Sequence, residues 1–328
     1  MQLCYTSGRF SAPSVPGTIS SLFRLQTDFV IGSSYCIRIR IKGMACHDDY
    51  IAFLQRNLPR LGYRWAGFRK PRGQVIKRIA RRIESLELQG VREYEAYLHS
   101  NADEWKQLDN LCRITISMFY RDRRVFEDIR DDVLPSLALL AISRGQAHLS
   151  CLCAGCCSGE EPYTLKIVWE LAVRPQVSGP LNLQITAIDS NQELLDRASA
   201  GLYAPSSLKD LPQQYKDQAF DLTSGGYVLK ERFRQGIEFI KSDIRHDLVD
   251  NGPFDLILCR NLAFTYFDEE SQAGVLDKLV SILRPGGFLV IGVHERLPDR
   301  DHGLIIHSSG HAPGKCVYRK VVGKQVRK

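Results

Sequence analysis

The segment "CLCAGCCSGEEPYTL", residues 151–165, begins as an apolar strand, turns between Gly155 and Gly159, and enters a helix near Pro162. Strand, glycine turn and helix in that order open a βαβ unit. Four more apolar, β-branched runs follow, "LNLQITAIDS", "IEFIKSDI", "FDLILCRN" and "GGFLVIGVHE", separated by helical patterns or turns. Runs that are apolar on both faces belong in a buried parallel sheet. The fold expected from residue 145 onward is therefore α/β, Rossmann-like, with a ligand beyond the carboxyl ends of the strands.

The rest of the chain reads differently. It has 328 residues, 44% hydrophobic and 25% charged, which suits a soluble globular protein of about two domains. The longest apolar stretch, Val133 to Ile142, is too short to cross a bilayer, and the N-terminus lacks a basic-then-apolar signal layout, so a cytoplasmic location without membrane insertion is expected. Ten cysteines without a short secreted framework read as reduced thiols. Residues 1–43 are rich in Ser, Gly and Thr and form an atypical extension. Helical spacing starts at Met44, so translation could equally begin there. Residues 44–112 read as a small all-helical unit, with "GQVIKRIARRIESLEL" and "EYEAYLHSNADEWKQLDNLC" among its amphipathic helices. A connector at 113–127 leads into the α/β region at 128–308, and 309–328 supply a last strand and a basic tail.

The turn decides the ligand class. A pyrophosphate prefers a bare helix N-terminus with free N–H groups, yet Glu160 and Glu161 stand there. Two carboxylates would repel phosphate but suit an ammonium or a sulfonium; equally, acids are favoured in any first helical turn. "LNLQITAIDSN" favours the first reading, because Asp189 ends the second strand, where an acid accepts hydrogen bonds from both hydroxyls of a ribose. An N-cap role for Asp189 or Ser190 is the compatible alternative. "FDLILCRN" then exposes Arg260 and Asn261 at a strand end, and "LDKLVSILRPGGFLVIG" gives a helix, an L-x-P-G-G turn and a strand. Together these point to S-adenosyl-L-methionine, with S-adenosyl-L-homocysteine as product.

On "TISMFYRD", "GEEPYTL", "AIDSNQELLDRASAGLY", "FDLILCRN" and "YFDEESQAGVLDKLVSILRPGGFLVIG", the chain from about Asp48 to about Pro298 resembles the CheR-type chemotaxis protein-glutamate methyltransferases. The resemblance implies a class I methyltransferase sheet, a helical N-terminal domain, a connector folded over the cofactor, and a small antiparallel insertion at about 203–238 that can dock a receptor tail. It implies transfer of methyl to glutamate side chains of a chemoreceptor-like protein, giving a methyl ester. Glu160 or Glu161 resembles the partner of the cofactor's amino group and Asp189 the ribose ligand, while Thr115, Ser117, Gly155, Gly159, Asp243, Ile244, Arg260 and Asn261 line the same pocket. Arg121 resembles the connector arginine that orients the acceptor carboxylate, and Tyr266 the tyrosine that follows C-R-N. Thr115, Ser117 and Asp243 depart from the usual Asn, Thr and Asn, and each keeps hydrogen-bonding capacity. "CRNLAFTYFD" is one residue longer than usual, which puts the equivalence of Tyr266 in question and leaves room for an acceptor outside chemotaxis or a silent cofactor sensor.

Two other features have bland readings. A tetrahedral zinc site would need two converging ligand pairs, and only the one cluster exists, so Cys151, Cys153, Cys156 and Cys157 are read as small side chains with no metal. The basic helix at 69–83 leaves Val75, Ile76, Ile79 and Ile83 for packing and projects Lys77, Arg78, Arg81 and Arg82, a face that could meet an acidic helical receptor segment or simply be solvated. No aromatic-interleaved basic groove suggests nucleic acid, despite a net charge of +7. A monomer is the default.

Overall fold

The computed structural model describes residues 47–247, 252–308 and 315–321. The atypical extension, the proposed start at Met44 and the basic tail lie outside these residues. Five helices come first: α1 (His47–Asn57), α2 (Trp65–Phe68), α3 (Arg72–Ser85), α4 (Val91–Ser100) and α5 (Ala102–Cys112). The stretch "EYEAYLHSNADEWKQLDNLC" is thus two helices, parted where Asn101 turns extended at φ −133°. In α3, Val75, Ile79 and Ile83 are buried, as their spacing requires. Only part of its expected basic face is presented to solvent. Arg82 pairs with buried Glu104, and Arg78 bonds the Leu111 and Arg113 carbonyls and the Thr115 hydroxyl, while Lys77 and Arg81 are exposed.

The connector crosses to α6 (Arg123–Asp128) and α7 (Leu134–Ser143), which a π-helical turn joins. The α/β part then runs β1 (His148–Ala154), α8 (Glu160–Val168), β2 (Asn182–Asp189), α9 (Gln192–Ala200), β3 (Leu202–Tyr203), α10 (Gln213–Ala219), β4 (Phe220–Thr223), β5 (Gly226–Leu229), β6 (Ile237–Lys241), β7 (Phe254–Cys259), α11 (Ala263–Tyr266), α12 (Glu269–Ile282), β8 (Leu283–Ile291), β9 (Leu304–Ile306) and β10 (Val317–Lys320). Helix α8 begins at Glu160, two residues before the expected Pro162, so both glutamates lie inside its first turn.

Among the described residues seven strands form one sheet in the order β6-β2-β1-β7-β8-β10-β9. The five runs read from the sequence pair in parallel, Cys151 opposite Ile185 on one side and Leu256 on the other. All of β7 and most of β1 and β8 are buried, which is why these strands read as continuous apolar runs. Strands β10 and β9 add antiparallel pairs at one edge. The L-x-P-G-G turn is absorbed into β8 as an irregularity: Leu283 pairs with Phe254 and Phe288 with Leu256, so the residues between them loop out, helped by Gly286 at φ +80°. A separate antiparallel sheet, β3-β5-β4, occupies the expected insertion. Chain direction along the sheet order reverses at β1, since β2 lies on one side of it and β7 on the other. A ligand cleft is expected at the carboxyl ends of these strands.

Candidate active site

Three strand ends and the connector build the site. After β1, Gly155 turns at φ +77°, and the Gly155 and Cys156 N–H groups both donate to the Ile188 carbonyl at 2.8 and 3.0 Å. The turn is thereby locked to the end of β2. Cys157, at φ +50°, donates its N–H to Asp189 Oδ2 at 3.0 Å, and Asn191 N–H donates to Oδ1 at 2.9 Å. One carboxylate thus braces both loops, and its remaining lone pairs can accept from hydroxyls. The N-cap of α9 is Asn191, whose side chain accepts from Glu193 N–H, and neither Asp189 nor Ser190 fills that role.

The two glutamates of α8 have different surroundings. Glu160 is buried and accepts from the Ser158 hydroxyl at 3.0 and 3.1 Å, with Ser117 as a further hydrogen-bonding neighbour. Glu161 pairs with Arg260 at 2.9 Å. Arg260 also donates to the Asp122 carboxylate at 2.9 Å and to the Arg121 carbonyl at 2.8 Å, while its guanidinium lies over the Phe126 ring. It therefore ties the end of β7 to α8 and to the connector. The connector is itself held in an unusual shape, with Tyr120 and Asp122 both at φ +59° on either side of Arg121. Arg121 donates to the Ile116 carbonyl at 2.8 Å.

Burial is the largest influence on three of these acids. It pushes the Glu160, Glu161 and Asp189 carboxyls above their ordinary range, although hydrogen bonds from Ser158, the charge of Arg260 and backbone N–H groups respectively pull the other way. A cation brought beside such a carboxylate would offset the cost of keeping it charged and buried.

A cavity of about 80 Å³ is lined by Ser117, Arg121, Gly155, Glu161, Asp189, Arg260, Asn261 and Tyr266. Two smaller cavities meet it at Asp189 and Leu262: one includes Thr115 and Ser190, the other Asp243 and Ile244. Eight of the expected residues thus share one wall, and three more line its continuations. Glu160 and Gly159 do not line them. The Glu160 side chain is turned to Ser158, and a Cβ at Gly159 would meet Ala198 and Tyr163 at 2.9 Å, so that glycine serves packing of α8 on α9. Asp243 faces away from a simple ligand role, because Arg245 and Arg113 hold it at 2.7 and 3.2 Å. Tyr266, despite the extra residue before it, reaches the same cavity as Arg121.

Sequence reading missed Asp122, Arg245 and Glu295. Asp122 was hidden in the basic run "RDRR", and Arg245 and Glu295 lie beyond strand ends where no motif singles them out. Seven free cysteines are described, of which only Cys157 is not fully buried. No group of three His, Cys, Asp or Glu suited to a metal occurs among the described residues, and no helix among them is long and apolar enough to cross a membrane.

The donor set fits a ligand that carries both a cation and hydroxyls: Glu161 and Arg260 line one cavity with the Gly155 backbone, and Asp189 is shared by all three cavities. Residues 115–311 match the family described as "CheR methyltransferase, SAM binding domain". A chemotaxis protein methyltransferase of Listeria monocytogenes is 32% identical over 257 residues, which cover 78% of this chain and 93% of that one. One from Vibrio cholerae is 29% identical over 228 residues, 68% of this chain and 77% of that one. One from Salmonella typhimurium is 30% identical over 231 residues, 68% and 76% respectively. The chain belongs to the CheR methyltransferase family, and its cofactor is S-adenosylmethionine.

Proposed function

We propose that this methyltransferase esterifies glutamate side chains in an acidic helical segment of a chemoreceptor-like protein. The observation that carries the reading is Arg121, set on the cavity wall beside Glu161, Asp189 and Tyr266. A guanidinium has five N–H donors in a planar fork, so it can hold an incoming carboxylate by two of them while bonding Ile116. Lysine would do this poorly.

When bound, the cofactor supplies an electrophilic sulfonium methyl and leaves as the thioether. The acceptor carboxylate is already an anion at neutral pH, so its oxygen forms the new C–O bond as the C–S bond breaks, with no proton to move. The cavity wall accordingly needs no histidine or lysine base, and the lining residues include neither. In this reading Glu161 would accept from the cofactor's ammonium group and Asp189 from its ribose hydroxyls. The connector contributes Ile116, Ser117 and Met118 to the cavity wall, where they would limit the access of water to the reacting atoms. Alignment of this kind contributes on the order of 7 kcal/mol. The exposed Lys77 and Arg81 of α3 give an acidic helix a complementary surface.

The names of the relatives, chemotaxis protein methyltransferases, support a receptor as acceptor. Incubation with labelled S-adenosylmethionine and receptor cytoplasmic fragments is expected to give alkali-labile label. Arg121→Ala should lower turnover by about a hundredfold, the scale of a lost positioning contact, with cofactor affinity retained, whereas Asp189→Ala should lose affinity. Alkali-stable label, or normal turnover in Arg121→Ala, would refute the reading.

A further inference from the structure

The segment that brings Asn261 and Tyr266 to the cavity wall has little regular structure to hold it. Asn261 sits at φ +56°, where residues other than glycine are uncommon, and α11 behind it has only four residues. The hold comes from Glu295, buried in the turn after β8. Its Oε2 accepts the N–H groups of Asn261 at 2.9 Å and Gly292 at 2.6 Å, and its Oε1 accepts the Thr265 hydroxyl at 2.6 Å. Gly292 makes this possible: a Cβ there would lie 2.6 Å from Asn261 Nδ2 and 2.8 Å from Glu295 Oε2. From the other side Arg64 donates its guanidinium to the Thr265 carbonyl at 3.1 Å and its backbone N–H to the Tyr266 carbonyl at 2.8 Å. Glu295 does not line the cavity; it stands behind the wall formed by Asn261, Leu262 and Tyr266.

We propose that Glu295 is a positioning residue for the methyl-donor site. It holds Asn261 in its left-handed conformation and pins Thr265, and so sets the distance between that wall and the Gly155 turn opposite. The inference rests on reading this cavity as the donor's site. A glutamine can replace the carboxylate in place: its oxygen accepts the two backbone N–H groups, and its NH₂ donates to the Thr265 hydroxyl, which accepts as readily as it donates. Alanine leaves two buried N–H groups and a hydroxyl without their partner.

The test is calorimetric titration of the full chain with S-adenosylhomocysteine, with thermal melts to confirm folding. Glu295→Gln should bind within about threefold of the parent, and Glu295→Ala should bind about tenfold or more weakly, the scale of one buried bond lost. Equal affinity in folded Glu295→Ala overturns the proposal, as does a Gln variant as weak as the Ala variant. If Glu295→Ala does not fold, Thr265→Val removes one of the three bonds only and is expected to weaken binding about threefold or more; unchanged affinity there overturns the proposal too. Product binding reads this inference without any acceptor, so it can stand or fall separately from transfer to a carboxylate.

Discussion

At Gly155 the backbone turns with φ +77°, and an added Cβ would lie 2.6 Å from Leu262 Cδ2. The left-handed turn alone costs an alanine about 1 kcal/mol, and the clash adds to it. Leu262 lines the cavity, so a shift of its side chain would alter the cavity's shape. Gly155→Ala should therefore lower stability by about 1–2 kcal/mol and weaken S-adenosylhomocysteine binding more than a surface alanine would, as melts and calorimetry on the same sample will show; unaltered affinity would mean that the turn does not approach the ligand. The glycine was legible because a strand-to-helix turn calls for one. Asn261 was legible as a pocket residue but its left-handed backbone was not, since that conformation is imposed by Glu295, 34 positions away.

Helix α8 and strand β2 bring their acids to one place. Glu161 and Asp189 are raised above the usual carboxylate range by burial, against the pull of Arg260 and of backbone N–H groups. A raised folded value means that protonation favours the free protein below the ordinary carboxylate pKa, and that this contribution is lost as pH rises through the raised one. At neutral pH the paired charges weigh against the fold and serve binding instead. Affinity for S-adenosylhomocysteine should therefore fall on going from pH 7.5 to pH 4, starting above the pH at which ordinary carboxylates, with values near 4, protonate. Calorimetry at the two pH values checks this; pH-independent affinity would remove both acids from the ligand's contacts. The strands themselves were plain from their apolar runs. The α4–α5 break and β9 were not, because a lone Asn inside a helical pattern and a three-residue edge strand leave almost no periodic signal.

Across the whole molecule, the helical N-terminal part is joined to the sheet through Arg245. Its guanidinium reaches Asp109 Oδ1 and Oδ2, both at 2.9 Å, and Asp243 at 2.7 Å, and lies over the rings of both Tyr63 and Phe267. Burial alone would raise the two aspartates, but bonds from Arg245 and Arg113 outweigh it and hold both below the usual range. Their contribution is thus present above about pH 4 and is lost as pH falls through the lowered folded values. Arg245→Ala leaves buried Asp109 and half-buried Asp243 with Arg113 alone and should cost about 3 kcal/mol at neutral pH, seen as a lower urea midpoint, with the deficit shrinking below pH 4. A loss under about 0.5 kcal/mol, the range of surface substitutions, would show the junction to be held by its apolar contacts. None of this was readable from sequence, because Asp109 and Arg245 are 136 positions apart and each looks like an ordinary surface charge. The grip of Arg260 has a different bearing. It takes hold of residue 121 by the carbonyl, which every amino acid carries, and of Asp122 by the side chain. That carbonyl grip does not depend on the side chain at 121, so Arg121→Ala should lose the Ile116 bond and the partner proposed for the acceptor while the tie between β7 and the connector persists.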